Sequence, residues 1–156
     1  MKEKFKRAYM KTAQTFAELS YARRLKVGAL IVKDDRIISI GYNGMPAGWD
    51  NNCEDEFTEL YSGFEGAIHH TVLKTKPEVL HAETNAIAKL ARSNESGDSA
   101  SLFVTHSPCI ECAKLIYQSG IKEVFYGQLY RDHAGINFLT QSNIHVTCLN
   151  LSNVSL

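Results

Sequence analysis

A histidine and two cysteines are the side chains of this sequence that are best suited to bind a metal ion. His81 opens the segment His81-Ala82-Glu83, while Cys109 and Cys112 are separated by two residues and follow Pro108. One imidazole and two thiolates provide three protein ligands for a tetrahedral Zn²⁺ and leave the fourth position to water. Glu83 would close that open position if it were a ligand, so we expect it to move protons.

The same residues could instead form a structural zinc site. Such sites normally have four protein ligands, so a fourth ligand would have to come from elsewhere and Glu83 would be coincidental. The order H-x-E followed by P-C-x-x-C is, however, the signature of zinc nucleobase deaminases. The pattern therefore favours a catalytic metal site, in which Zn²⁺ lowers the pKa of its water ligand.

Two predicted helices must position these ligands. Residues 82–92 carry an apolar stripe at helical spacing, which places His81 at a helix start. Pro108 is predicted to begin a second helix that runs to about Ser119 and is closed by Gly120. Cys109 and Cys112 would then share one face of its first turn. Two helix N-termini should therefore face each other across the metal.

The remaining segments predict a mixed α/β fold. Residues 2–22 have a helical pattern, 27–32 and 36–40 a hairpin, 102–105 and 124–126 strands, 131–142 a short helix and 145–149 a last strand. Residues 41–48 are predicted to form a loop and residues 50–80 an irregular segment. The order predicts one domain, 1–156, with a three-layer α/β/α sandwich around a mixed five-stranded sheet.

Composition narrows the possible partners. Lys plus Arg and Asp plus Glu both number 17, and this formal neutrality argues against a nucleic acid polymer as partner. The charged N-terminus lacks the apolar core of a signal peptide, and no apolar run is long enough for a membrane span. Cysteines in a metal-type pair favour a reducing compartment. We expect a cytoplasmic protein, in the host cytoplasm if it is viral.

The sequence resembles the deoxycytidylate (dCMP) deaminases of the cytidine-deaminase-like superfamily along nearly its whole length. The resemblance is carried by Val27-Gly28-Ala29, the loop Gly41-Tyr42-Asn43-Gly44-Met45-Pro46-Ala47-Gly48, His81 to Ala86 and Pro108 to Lys114. It implies hydrolysis of dCMP to dUMP and ammonia with one catalytic Zn²⁺ per chain, Glu83 as proton shuttle and no organic cofactor. The loop distinguishes the deoxycytidylate branch from the rest of the superfamily.

The resemblance also implies substrate contacts. Asn43 would hold the deoxyribose 3′-hydroxyl, although an Asn-Gly turn could also use asparagine only because it tolerates positive φ. The 5′-phosphate would be bound by Arg24, Tyr130 and Arg131, each of which could instead be a solvated surface residue. The further substrate contacts implied are His81, Ala82 and Ser107.

Relatives of this type are commonly hexamers that dCTP activates and dTTP inhibits, with Mg²⁺ on the triphosphate. The resemblance places the regulatory nucleotide near the glycine-rich loop, so the implied allosteric contacts are Asn43, Gly44, Met45, Pro46, Ala47 and Gly48. Glycines there would let backbone N–H groups approach an anion closely.

Some phage relatives bind a second, structural zinc. Here Cys53 and the pair His69-His70 remain, but the N-terminal segment has no cysteine. The set is incomplete, so we expect one zinc per chain. Cys148 is predicted to be a core residue, and His106, His133 and His145 receive no role.

Three other interpretations remain open. A tRNA adenosine or polynucleotide cytidine deaminase shares the zinc motifs, although neutrality and the glycine-rich loop argue against it. A nucleoside cytidine deaminase would not need Arg24 and Arg131. A catalytically silent, zinc-stabilised binding module would have no reason to keep Glu83.

Overall fold

The computed structural model describes residues 1–63 and 66–150, with the backbone alone described for 60–63 and 66–69. The elements in chain order are α1 (Glu3–Ala17), β1 (Gly28–Lys33), β2 (Arg36–Tyr42), β3 (Glu54–Gly63), β4 (Gly66–Thr75), α2 (Ala82–Leu90), β5 (Ser101–His106), α3 (Ile110–Gln118), β6 (Glu123–Gln128), α4 (Ala134–Gln141) and β7 (His145–Cys148). No helix in the described part of the chain is both long and apolar enough to cross a membrane.

A five-stranded sheet in the order β2-β1-β5-β6-β7 forms the middle layer. Strand β1 pairs antiparallel with both β2 and β5, whereas β5, β6 and β7 are parallel. Helix α1 covers one face, where Met10 and Ala13 pack with Leu30, Phe103 and Phe125. Helices α2, α3 and α4 contribute to the larger core on the other face. The predicted three-layer sandwich with a mixed five-stranded sheet is confirmed.

The central strands β1 and β5 are buried along almost their entire length. Their patterns are continuous runs of apolar residues because a helix layer covers each face of the sheet. Phe103 on β5 stacks on Phe125 of β6 with ring centroids 4.7 Å apart. This contact packs β5 against β6, the two strands whose C-terminal ends lead into loops around the candidate site.

Two glycines allow helices to approach the sheet at backbone contact. A Cβ atom on Gly28 of β1 would lie 2.0 Å from the Ala13 carbonyl oxygen of α1. A Cβ atom on Gly41 would lie 2.1 Å from the Ala82 carbonyl oxygen of α2. Gly41, which was predicted to lie in the glycine-rich loop, is a residue of β2. Its lack of a side chain allows the helix after His81 to pack closely on the sheet.

Two sequence predictions were wrong: the end of the first helix and the irregular structure of residues 50–80. Helix α1 ends at Ala17 instead of residue 22, and Glu18 is its C-cap. Residues 50–80, predicted to be irregular, contain the antiparallel pair β3–β4 as a separate two-stranded sheet. Residues 55–59 of β3 are all exposed, so this part of the strand lacks the alternation of buried and exposed residues by which a strand is recognised.

Candidate active site

His81 and Cys109 occupy the N-cap positions of α2 and α3. Cys112 lies in the first turn of α3, and its backbone N–H donates to Cys109 Sγ at 3.5 Å. Helix α3 thus begins at Ile110, so Pro108 precedes the helix and does not start it as the sequence predicted. The expected juxtaposition of two helix N-termini is present, and their partial positive charge favours thiolates between them.

The three side chains fit a zinc ion. His81 Nδ1 lies 3.3 Å from Cys112 Sγ and 3.6 Å from Cys109 Sγ. All three ligand atoms lie within 4.8 Å of one another. Ligands sharing a tetrahedral Zn²⁺ stand about 3.6 Å apart for a nitrogen and a sulfur, and about 3.8 Å for two sulfurs, given bond lengths of about 2.1 and 2.3 Å. The two nitrogen–sulfur separations are therefore compatible with a shared zinc ion.

The two thiols differ in acidity because one donates to the other. The hydrogen bond from the Cys112 side chain, together with contacts from His81 and the Cys112 N–H, lowers the pKa of Cys109 to about 3. The same hydrogen bond raises the pKa of the Cys112 thiol well above its usual range. The hydrogen bond to Cys109 likewise raises the pKa of His81. A divalent cation bound by these atoms would displace the shared protons.

Glu83 is buried, with 4% of its surface exposed, in the first turn of α2. Burial raises the pKa of its carboxyl to about 7. A hydrogen bond from its own backbone N–H and the charge of His81 act in the opposite direction and lower this pKa. A nearby dication would favour the ionised form. Glu83 also interacts with the Cys112 side chain, so its carboxyl lies beside the ligand set.

A cleft of about 520 Å³ opens beside these residues. Its lining includes His81, Ala82, Glu83 and Cys109. The cleft lies at one edge of the central sheet, where β2, β5 and β6 end and β1 begins. His106, the last residue of β5, lines the cleft together with residues of the adjoining loops, namely Val27, Asn43, Ser107, Tyr130 and Arg131.

The side chain of Asn43 forms hydrogen bonds to the backbone that lines the cleft. Its Oδ1 accepts from Val27 N–H at 2.8 Å, and its Nδ2 donates to the Leu25 carbonyl at 2.9 Å. Asn43 is not among the residues with positive φ, so tolerance of that conformation does not explain its presence. A side-chain amide has four hydrogen-bonding positions, and two of them remain for a ligand.

Ser107 holds the loop that carries Tyr130 and Arg131. Its hydroxyl is buried and accepts from Tyr130 N–H at 2.8 Å. The guanidinium of Arg131 lies over the Tyr130 ring, 5.0 Å from its centroid. Arg131 adopts φ 54°, a left-handed conformation that is uncommon for non-glycine residues and often marks functional loops.

A sequence model of the cytidine and deoxycytidylate deaminase zinc-binding region matches residues 3–128. The chain belongs to this family. The human deoxycytidylate deaminase is 41% identical over 127 residues, which cover 80% of this chain and 65% of the human protein. ComE operon protein 2 of Bacillus subtilis is 39% identical over 125 residues, covering 80% of this chain and 60% of the Bacillus protein.

A solved structure resembles almost the whole chain. The dCMP deaminase of cyanophage S-TIM5, crystallised with dCMP and dUMP, is 43% identical with a TM-score of 0.81. The alignment covers 96% of this chain and 99% of the phage chain. The resemblance to deoxycytidylate deaminases and the cytidine-deaminase-like fold are confirmed. By contrast, the chain spans less than two thirds of the human and Bacillus proteins.

In this family member, sequence reasoning missed several residues of the cleft. His106 lines the cleft, and burial lowers its pKa. Lys74, Thr75 and Lys76, from the end of β4 and the residue after it, line the cleft near Arg24. In the sequence these residues are visible only as two lysines on either side of a threonine. Because the segment was predicted to be irregular, nothing indicated that it lies near the metal ligands.

The remaining cysteines and His70 lie outside the metal-binding group. Cys148 is exposed, so its prediction as a core residue was wrong. Cys53 is buried in an apolar cluster with Ala22 and Val79. Among the described residues, His81, Cys109 and Cys112 form the one group suited to a metal. The side chain of His69 lies outside the described residues, and His70 is exposed.

Part of the backbone of the glycine-rich loop already forms hydrogen bonds within the protein. Gly44 N–H donates to the Leu80 carbonyl at 3.1 Å, and Leu80 N–H donates back at 2.9 Å. The N–H of Gly44 is therefore occupied in this conformation. Gly48 has φ 86° and open space around its Cα, so it could admit a close ligand. The allosteric assignment of this loop stays a prediction.

Proposed function

We propose that the protein hydrolyses dCMP to dUMP and ammonia. The observation that carries this proposal is the composition of one cleft. Its inner part has Glu83 beside the ligand group of His81, Cys109 and Cys112, and the same lining carries the cations Arg24, Lys74, Lys76 and Arg131. A deaminase centre next to clustered cations suits a pyrimidine with an anionic group attached. The cyanophage relative, crystallised with dCMP and dUMP, supports the same substrate.

His81 Nδ1 and the thiolates of Cys109 and Cys112 would hold the zinc ion. When bound there, Zn²⁺ supplies acidification of a water molecule at neutral pH. Glu83 then does the proton transfers. Its carboxylate takes a proton from the water and delivers it to N3 of cytosine while the water oxygen bonds to C4. It next transfers the second water proton to the exocyclic nitrogen, and the C4–N bond breaks to release ammonia.

Burial of Glu83 suits this role. A carboxylate that is 4% exposed exchanges protons with the reacting groups in preference to bulk solvent. Its position in the first turn of α2, two residues after His81, ties it to the ligand set through the helix backbone. No second residue is needed to carry the two water protons, one to N3 and the other to the exocyclic nitrogen.

The remaining groups bind and orient the nucleotide. Asn43 has unused amide positions for the deoxyribose 3′-hydroxyl, and Ala82 and Ser107 line the wall next to His81. Arg24, Tyr130 and Arg131 would bind the 5′-phosphate, because an arginine fork can donate two hydrogen bonds to phosphate oxygens. The stacking of Arg131 on Tyr130 limits the directions in which that fork can point.

Comparison of four substrates tests the proposal. Purified protein is assayed for ammonia release from dCMP, deoxycytidine, CMP and a tRNA, with the relative kcat/KM values as the result. We expect dCMP to be preferred over all three. Preference for deoxycytidine or for tRNA would establish one of the alternative deaminase activities, and no turnover of any substrate would favour the silent binding module.

We further propose that activity is regulated by dCTP as activator and dTTP as inhibitor, each with Mg²⁺, in a homohexamer. The proposal rests on resemblance and on the open space around Gly48. The loop from Gly44 to Gly48 lies outside the described lining of the cleft, so an effector there would not occupy the substrate position.

A further inference from the structure

Glu54, the first residue of β3, carries a buried carboxylate that binds the backbone before β1. Only 1% of its surface is exposed. Oε1 accepts from Arg23 N–H at 3.1 Å and from Arg24 N–H at 3.2 Å, and Oε2 accepts from Arg23 N–H at 3.2 Å. A carboxylate makes strong hydrogen bonds to backbone donors, so Glu54 fixes the peptide groups on both sides of Arg23.

The strand opposite holds the Arg24 side chain. Glu54 and Thr75 are cross-strand partners at the base of the β3–β4 hairpin. Thr75 Oγ1 accepts from Arg24 Nη1 at 2.7 Å. One pair of facing residues therefore fixes both ends of Arg24, the backbone through Glu54 and the guanidinium through Thr75, at the wall of the cleft.

Arg23, and not Arg24, forms the ion pair with Glu54. Arg23 Nε lies 3.7 Å from Glu54 Oε2, and Arg23 Nη1 lies 2.6 Å from Glu56 Oε1. Within the described part of the chain Arg24 forms no ion pair. Its positive charge remains available to an anionic ligand, while its neighbour neutralises the carboxylates.

We infer that Glu54 is a positioning residue for phosphate recognition, acting with Thr75 through Arg24. The inference rests on the proposed function, because it assigns a cause to the preference for a 5′-phosphate. The hairpin base would then determine whether the cleft distinguishes a nucleotide from its nucleoside, although Glu54 itself touches neither. Lys74, which also lines the cleft beside Thr75, adds positive charge to the lining, whereas the charge of Lys76 is offset by Asp55, 3.9 Å away.

Binding of dUMP and deoxyuridine, measured by calorimetry, separates the phosphate contribution from the rest of the ligand. The variants are Glu54→Gln, which keeps shape but loses one acceptor, and Thr75→Val, which loses the hydroxyl at similar volume. The matched controls are Glu56→Gln, which alters the exposed partner of Arg23, and Thr75→Ser, which retains the hydroxyl. We expect the affinity ratio of dUMP to deoxyuridine to fall roughly tenfold in each test variant and to stay near wild type in the controls.

The outcomes are distinguishable. If Glu54→Gln fails to fold, Thr75→Val still tests the inference, since it changes only the side-chain contact of Arg24. Equal weakening of both ligands, or an unchanged ratio, would show a purely structural role and overturn the inference. A wild-type protein that does not turn over dCMP would refute the proposed function, whereas an affinity ratio that still falls in both test variants would support the positioning role.

Discussion

His81 and Cys109 occupy the N-cap positions of two different helices, and their side-chain atoms Nδ1 and Sγ lie 3.6 Å apart. Neither side chain is placed by a flexible loop alone, because each is the residue from which a helix starts. Helix α2 is in turn held against the sheet at Gly41, and helix α4 packs so closely on the residues before α3 that a Cβ on Gly135 would lie 2.0 Å from the Pro108 carbonyl oxygen. The metal group is preorganised by packing.

Zinc content is the most direct test of this group. We expect close to one zinc per chain, lost in Cys109→Ala and Cys112→Ala, because either change leaves too few ligands for tight binding. Elemental analysis measures the metal, and thermal unfolding with and without a chelator measures its contribution to stability, which should be a lower Tm after removal. Cys148→Ala, at an exposed cysteine outside the group, should retain the metal. Full zinc content in both ligand variants would disprove the assignment.

Replacing Glu83 with glutamine should separate proton transfer from metal binding. The amide keeps the volume of a buried side chain but cannot take a proton from water, so kcat for dCMP should fall about 10²–10⁴-fold. Steady-state kinetics and elemental analysis on the same sample give activity and zinc together. Glu95→Gln, at a surface ion pair with Arg36, serves as control. Near-normal turnover by Glu83→Gln would point to a structural zinc.

Arg131→Ala should discriminate between nucleotide and nucleoside. Loss of a charged donor to phosphate should reduce kcat/KM for dCMP roughly tenfold or more, with a much smaller effect on deoxycytidine. Arg36→Ala, which removes an exposed arginine paired with Glu95, is the matched control. Equal loss with both substrates would mean that Arg131 maintains the loop without binding phosphate.

Gly41→Ala tests the packing of α2 on the sheet. The added methyl group would lie 2.1 Å from the Ala82 carbonyl oxygen, so the helix must move and the free energy of unfolding should drop by about 1–3 kcal/mol or more. Gly44→Ala, with no atom within 4 Å of the added carbon, should change stability by less than about 0.5 kcal/mol. Denaturant unfolding of both variants gives the comparison. Similar stabilities would show that the helix can relax without cost.

Regulation can be tested without mutation. The rate against dCMP concentration should be sigmoidal, shifted to lower concentration by dCTP with Mg²⁺ and to higher concentration by dTTP with Mg²⁺. A purine triphosphate such as dGTP controls for nonspecific effects of charge, and omission of Mg²⁺ tests its part. A hyperbolic curve that neither pyrimidine triphosphate alters would remove the regulatory proposal.

The metal group and the central sheet could be predicted because their signals are local. Ligand spacing, helix caps and apolar runs lie within short segments, so His81, Cys109 and Cys112 were brought together as expected. The β3–β4 hairpin was not predicted, because residues 55–59 of β3 are all exposed and show no alternation of buried and exposed positions. The contacts of Glu54 and Thr75 were missed with it, because these residues lie 30 and 51 positions from Arg24 in the sequence. Pairings at that separation leave no periodic trace in a single sequence.

At the end of the sheet where the cleft lies, helices and loops carry different groups. Helix starts carry the metal ligands and Glu83, whereas strand-end loops and the hairpin base carry the groups that would contact sugar and phosphate. We expect exchange of the 129–133 loop or of the hairpin base to alter nucleotide recognition while the helices keep their packing on the sheet. The proposed function would then make this fold a scaffold on which nucleotide preference can be changed without changing the chemistry.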